Sequence, residues 1–261
     1  MAVDILDLAA FYKTPLGRNV QASMATHIKN IWPQEADANE LLLGYGYAPP
    51  LAKKLWPKAE WHFLMPQQQG VIAPQKGERP AILTHEANWP VRDDSVNRLL
   101  FLHGLEAANH LDMVLDEAWR VLRPNGRALL IVPNRRGLWA RGDTTPFGAG
   151  RPFSGTQLRA SLQRTGFVPG LMQTALFLPP YLPMRLRSSS RFIERVTSYI
   201  APRLGGVWLV EAVKQVPAPQ SVERARKARA RQRLGVPRPA LSPIDGDQKI
   251  GSKIGSSAAA G

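Results

Sequence analysis

The residues best suited to chemistry surround a Gly-x-Gly turn in the first fifth of the chain. The apolar run at residues 41–43 breaks there into Gly44, Tyr45 and Gly46. Glycine at positions 44 and 46 lets the backbone adopt φ > 0 and lets a ligand approach where a Cβ would otherwise stand. Turns of this kind hold nucleotide-like cofactors, and they also close ordinary strand-to-helix connections. The dinucleotide-binding Gly-x-Gly-x-x-Gly fingerprint is not matched, because Pro49 stands where its third glycine belongs.

Helical and strand periodicities alternate over most of the chain and must position this turn. Apolar residues recur at helical spacing in residues 4–31, with a break near Pro15, and again in residues 110–121. The predicted strands are residues 41–43, 61–65, 81–84, 98–102, 127–132 and 206–213, with another starting at Gly166. This alternation implies βαβ units and a mostly parallel sheet with helices on both faces. Ligands of such sheets bind beyond the carboxyl ends of the strands, where the glycine turn lies.

The composition narrows the class of protein and its partners. Lys and Arg number 34 against 20 Asp and Glu, a net charge of +14, which attracts anions over a Debye length of about 8 Å at physiological salt. This charge is explained either by an anionic partner, such as nucleic acid, ribosome or anionic lipid, or by a basic surface that is merely solvated. The absence of cysteine excludes disulfides, thiolate catalysis and Cys-type metal sites, and we expect no metal site. No apolar run suffices for a membrane span, and Asp4 and Asp7 stand near the start, so we expect a cytoplasmic protein.

Several motifs resemble the class I S-adenosylmethionine (SAM) dependent methyltransferases of the small-molecule, type 11 kind. Residues 117–126 (EAWRVLRPNG) resemble the family's E-x-x-R-V-L-K-P-G-G, residues 89–91 loosely match its Leu-Pro-Phe triplet, and residues 105–106 match part of its Leu-Glu-His signature. The resemblance covers about residues 35–215. It implies an α/β, Rossmann-like sheet of seven strands, mostly parallel, with helices on both faces and an antiparallel last strand.

The resemblance also implies that SAM is the cofactor. Its methionine and ribose parts would rest against Gly44, Tyr45 and Gly46. Where the family places a carboxylate for the ribose diol, this chain has Gln67, whose amide oxygen accepts hydrogen bonds but carries no charge. The departures from the family's ligand pattern are Leu42, Ala48, Gln67 and Asn97.

Two further loops complete the implied site. Either His85 or Glu86 occupies the family's adenine-binding position, and we favour Glu86 because a carboxylate accepts from an amine without a tautomer requirement. Alternatively, Glu86 is a solvated loop residue with no role in binding. Trp89 would border the adenine. His103 ends the fourth predicted strand, where a neutral imidazole positions a substrate or removes a proton near pH 7, unless it is a packing residue.

The chain divides into three predicted parts. Residues 1–34 form an N-terminal helical cap, and residues 35–216 form the methyltransferase-like domain, in which residues 178–203 are a lid-like insertion. Residues 217–261 form a basic tail that we expect to be disordered, with its charge concentrated at residues 223–233.

The leading functional hypothesis is a SAM-dependent methyltransferase with an unidentified acceptor. Methyl transfer depends mainly on alignment of nucleophile and methyl group, so the lack of a clear base does not exclude it. The alternative is a catalytically inactive scaffold of the same fold that binds RNA, ribosome or another anionic partner through its basic surface and residues 223–233. Peripheral membrane contact through the alternating apolar and basic residues 182–200 is a third, weaker hypothesis.

Overall fold

The computed structural model describes residues 3–34, 36–73, 80–142, 144–180 and 204–216. Residues 181–203, which include most of the predicted lid-like insertion and all of the 182–200 stripe, lie outside these ranges. The predicted tail, residues 217–261 with the basic segment 223–233, lies outside them too. Within the described ranges, no helix is both long enough and apolar enough to cross a membrane.

The described chain alternates strands and helices after an N-terminal helical pair. The helices are α1 (Ile5–Lys13), α2 (Pro15–Ile31), α3 (Pro49–Leu55), α4 (Leu111–Val121) and α5 (Gly155–Arg164). The strands are β1 (Leu42–Gly46), β2 (Trp61–Pro66), β3 (Ile82–Thr84), β4 (Val96–Leu102), β5 (Leu122–Pro133), β6 (Val168–Ala175) and β7 (Val207–Val213). The predicted break near Pro15 is confirmed, because α2 begins there with the Thr14 side chain accepting the Gly17 amide as an N-cap.

The strands form one sheet in the order β3-β2-β1-β4-β5-β7-β6. The pairs β3–β2, β2–β1, β1–β4 and β4–β5 are parallel, whereas β7 runs antiparallel to both β5 and β6. The predicted fold, a seven-stranded and mostly parallel Rossmann-like sheet with an antiparallel last strand, is therefore confirmed.

Alternate residues of the central strands pack against two helical layers. In β4, Leu100 and Leu102 belong to the core that includes α2 and α3, whereas Leu99 and Phe101 belong to the core that includes α4 and α5. This alternation follows from the two-residue period of a strand. In the described residues between β2 and β3, 67–73 and 80–81, there is no helix. One face of β2 therefore borders a cavity.

The boundaries of β1 and β5 differ most from the sequence prediction. Strand β1 continues through Gly44 to Gly46 instead of ending at residue 43, because both glycines pair in register with β4. Strand β5 begins at Leu122, and the predicted turn at residues 124–126 is an irregularity inside this strand. Asn125 adopts φ 64°, a conformation that asparagine tolerates better than most residues. A shift in the β4–β5 register accompanies this irregularity.

Candidate functional site

The glycine turn is shaped by close packing of the strands around it. Gly46 has φ 78°, and a Cβ on it would overlap the carbonyl oxygen of Leu102 in β4. A Cβ on Gly44 would lie 2.6 Å from the Phe63 ring in β2. Both glycines are thus required by protein atoms, whatever else approaches the turn. The side chain of Tyr47, the first residue after β1, is half-buried.

Tyr45 and Trp89, two of the residues predicted to contact SAM, pack against each other in the core between the sheet and α4. Their rings stack at a centroid distance of 4.7 Å, and Tyr45 also meets Phe101 edge to face at 5.6 Å. The backbone of Trp89 is held from α4, since Glu117 accepts its amide at 2.7 Å and Arg120 donates to its carbonyl at 3.0 Å. The EAWRVLRPNG motif therefore fixes the loop that follows β3.

The carboxylate of Glu86 binds the start of α4. Its Oε1 accepts the amide of Asn109 and its Oε2 accepts the amide of His110, both at 2.8 Å. Gln68 donates a further hydrogen bond to Oε1 at 3.2 Å. Glu86 is only 3% exposed, and His110, the N-cap residue of α4, makes no side-chain cap. Glu86, which follows β3, thus satisfies the two backbone amides that lead into α4.

Gln67 and Gln69 follow β2 and have opposite environments. Gln67, the residue predicted at the ribose position, is exposed. Gln69 is buried, and its amide nitrogen donates to the carbonyl oxygen of His103 across the carboxyl edge of the sheet. The Gln69 backbone carbonyl accepts the amide of Ile5 at the start of α1. Sequence analysis did not identify Gln69, although it is the third of three consecutive glutamines that follow β2.

His103 is the centre of a buried hydrogen-bonded array, the Glu106–His103–Tyr12 relay. Its Nδ1 lies 3.0 Å from Oε1 of Glu106, and its Nε2 lies 2.7 Å from the hydroxyl of Tyr12 in α1. All three residues are buried. The pKa of Tyr12 is raised well above its ordinary value, first by burial and then by the charges of Glu106 and Tyr47. We infer that the phenol keeps its proton and donates to Nε2, so that Nδ1–H donates to Glu106.

Little space remains beside this relay at the edge of the sheet. A gap of about 10 Å³ is bordered by Gln69, His103, Glu106 and Pro146. Oε2 of Glu106 and Oε1 of Gln69 are buried there without a hydrogen-bond partner in the described part of the chain. Phe147 packs on the imidazole at a centroid distance of 4.7 Å. A ligand the size of SAM therefore has no room between the relay and Gln69.

A much larger space, the β2 cavity, runs along the face of β2 and has a volume of about 790 Å³. The walls are Trp61, Phe63 and Met65 from β2, Tyr47, Pro49 and Pro50 from the turn after β1, and Ile5, Ala9 and Tyr12 from α1. Charged side chains at its wall are Lys13, Lys53, Lys58 and Glu60. Tyr12 links this cavity to the relay. None of the sequence-predicted site residues, which all belong to the described ranges, lines the cavity.

Comparison with known proteins places the fold. No family model matches the sequence, and no curated protein matches it. A SAM-dependent methyltransferase from Thermotoga maritima is 16% identical with a TM-score of 0.57, over 81% of this chain and 96% of that one. A methyltransferase solved with the Trm112 methyltransferase activator of Haloferax volcanii is 12% identical with a TM-score of 0.54, over 80% and 98% of the two chains.

A third solved structure is a geranyl diphosphate C-methyltransferase from Streptomyces coelicolor in complex with S-adenosyl-L-homocysteine. It is 16% identical with a TM-score of 0.50, over 73% of this chain and 75% of that one. At such identities the similarity concerns the architecture of the chain. The protein has the fold of the class I SAM-dependent methyltransferases.

Proposed function

We propose that this chain is a SAM-dependent methyltransferase whose acceptor is not yet identified. The observation that carries the proposal is the β2 cavity, which reaches the turn after β1 in a chain of the methyltransferase fold. In open sheets of this kind the ligand binds where the strand order reverses, which is between β1 and β4 here. The cavity adjoins that position on the β2 side.

The residues of the cavity fit SAM in size and in most of their chemistry. A volume of about 790 Å³ lies within the range of about 300–1,000 Å³ for small-molecule sites. Phe63 and Tyr47 offer aromatic surface to an adenine, and Met65 stands near the end of β2, where a carboxylate would bind a ribose. Glu60 is the only carboxylate among the described residues that line the cavity. We propose Tyr47, Phe63 and Met65 as the walls of the cofactor site, with Gly44 and Gly46 shaping the turn.

The relay gives this site a means of accepting a proton. When bound, SAM supplies an electrophilic methyl group on a sulfonium. An O–H or N–H nucleophile loses one proton when it is methylated. Tyr12 faces the cavity, so its oxygen accepts that proton while its own hydroxyl proton passes to Nε2 of His103. Glu106 then faces an imidazolium and stabilises its charge. His103 is thus the proposed general base, acting through Tyr12.

Calorimetric titration of the full-length chain with SAM and with S-adenosylhomocysteine tests the proposal directly. We expect micromolar binding of both ligands. Ala9 lines the cavity from α1, so Ala9→Trp should fill part of it and abolish binding. Ala10, its exposed neighbour, does not line the cavity, so Ala10→Trp is the matched control and should bind normally.

Two results would overturn this assignment. If neither ligand binds at millimolar concentration, the chain does not use SAM. If both ligands bind and Ala9→Trp binds as well as Ala10→Trp, with both variants folded by circular dichroism, then the cofactor site is not the β2 cavity.

A further inference from the structure

A second concave surface, the arginine groove, lies between α4 and α5 and has a volume of about 560 Å³. Arg135, Arg151 and Arg164 line it. Asp112 is the only carboxylate among the described lining residues, and its Oδ1 is paired with Arg164 at 2.8 Å. Neither Arg135 nor Arg151 has a carboxylate partner within the described ranges. The groove therefore carries unneutralised positive charge.

The backbone that carries these two arginines is fixed on both sides. The amide of Arg135 donates to the carbonyl of Phe153 at 3.0 Å, and the amide of Phe153 donates back to Pro133 at 2.9 Å. The amide of Arg151 donates to the carbonyl of Glu106 at 2.9 Å. Because these positions are fixed before any ligand arrives, less ordering is needed on binding.

The first turn of α4 adds further donors to the same wall. The amides of Leu111, Asp112 and Met113, which all line the groove, have no acceptor in the described part of the chain. The 11-residue helix α4 makes no side-chain cap at its own N-cap residue. Glu86 accepts only the amides of Asn109 and His110, which precede the helix, so these three amides remain donors for an anion.

We propose that the arginine groove binds the phosphate group of a small molecule. Guanidinium groups and free amides together match the several acceptor oxygens of a phosphate. The volume of the groove is in the range of small-ligand sites, whereas a nucleic acid strand would need surfaces for its bases. Phe153, the only phenyl ring among the described lining residues, is 3% exposed and offers little such surface. This proposal does not depend on methyl transfer.

Isothermal titration of the full-length chain with inorganic phosphate and with pyrophosphate, at constant ionic strength in chloride buffer without SAM, tests the groove. We expect saturable binding of one pyrophosphate. Arg135→Gln and Arg151→Gln should each weaken it roughly tenfold, because each removes a hydrogen bond from a charged donor. Arg136→Gln is the matched control, since Arg136 is exposed but does not line the groove, and it should bind within about twofold of the wild type.

Each remaining outcome would overturn the proposal. If neither inorganic phosphate nor pyrophosphate binds saturably, the groove is not a phosphate site. Equal weakening by Arg136→Gln would show that only the general positive charge attracts the probe. If a single-stranded RNA oligonucleotide binds more tightly than pyrophosphate and loses affinity in the same two variants, the partner is nucleic acid. Thermal unfolding at the wild-type temperature shows that each variant is folded, so that a difference in affinity reflects the loss of the arginine.

Discussion

Replacing Glu86 by alanine is expected to destabilise the fold, whereas a purely ligand-binding role would leave stability unchanged. Both carboxylate oxygens accept backbone amides at the start of α4, from Asn109 and His110, at 2.8 Å. The side chain reaches them from the end of β3, so it joins the sheet to the helix that follows β4. Removal of the carboxylate would leave both amides without an acceptor in a part-buried region.

The size of the effect follows from these contacts. A hydrogen bond to a charged group contributes about 1.5–3 kcal/mol, and an anion at a helix N-terminus about 0.3–1 kcal/mol more. With partial rehydration of the freed amides, we expect Glu86→Ala to cost about 3–5 kcal/mol of unfolding free energy. Glu86→Gln keeps one acceptor oxygen and should cost about half as much. Such losses are a large fraction of the 5–15 kcal/mol that is typical of a domain.

Urea unfolding followed by far-UV circular dichroism measures this cost, with S-adenosylhomocysteine titrated in parallel. His85→Ala is the control, because His85 is exposed and its Nδ1 accepts only the amide of Ala87, at 3.2 Å. We expect the control to stay within about 1 kcal/mol of the wild type. If Glu86→Ala is equally stable but no longer binds S-adenosylhomocysteine, Glu86 is a cofactor residue and the capping argument is wrong.

Two further predictions concern histidines. The ring hydrogen of His103 should lie on Nδ1, facing Glu106, because Tyr12 donates to Nε2; long-range ¹H–¹⁵N spectra that place a hydrogen on Nε2 would contradict the relay. Burial lowers the pKa of His27 below 6.5 in the folded chain. As the pH drops below 6.5, the imidazole is therefore protonated more readily in the unfolded chain than in the folded one, and the free energy of unfolding should fall. His27→Gln should lose less stability between pH 7 and pH 5 in urea unfolding than the wild type, and an equal loss in both would refute this.

The fold was largely predictable because it depends on patterns that are local in sequence. Apolar periodicity located the helices and strands, and residues 117–126 predicted the passage from α4 into the central strand β5. The structure adds a reason for that motif: Glu117 and Arg120 hold the backbone of the loop after β3. A local pattern does not show such a partner, since Trp89 lies 28 residues before Glu117.

The candidate site was less predictable because its contacts join distant segments. Tyr12 and His103 are 91 residues apart, and the helical pattern of residues 4–31 indicates no distant partner for Tyr12. One signal was present, since Glu106 follows His103 by three residues, a spacing at which a carboxylate can reach an imidazole. The sequence showed polar residues at several strand ends but not the direction of their side chains. Glu86 and Gln67 illustrate this, since one caps a helix and the other faces solvent.

The conformation of His103 argues that the relay is more than packing. His103 adopts φ 58°, a left-handed conformation that costs a non-glycine residue about 1–2 kcal/mol. Glycine at position 103 would avoid this cost. Instead, the chain has a glycine at the next position, Gly104, where a Cβ would lie 2.5 Å from the Tyr45 ring. An apolar residue or glycine at 103 would also remove a buried titratable group. Strain that persists around a buried imidazole with a carboxylate on one nitrogen and a phenol on the other is typical of functional sites. This strain is consistent with the proposal that His103 accepts a proton through Tyr12.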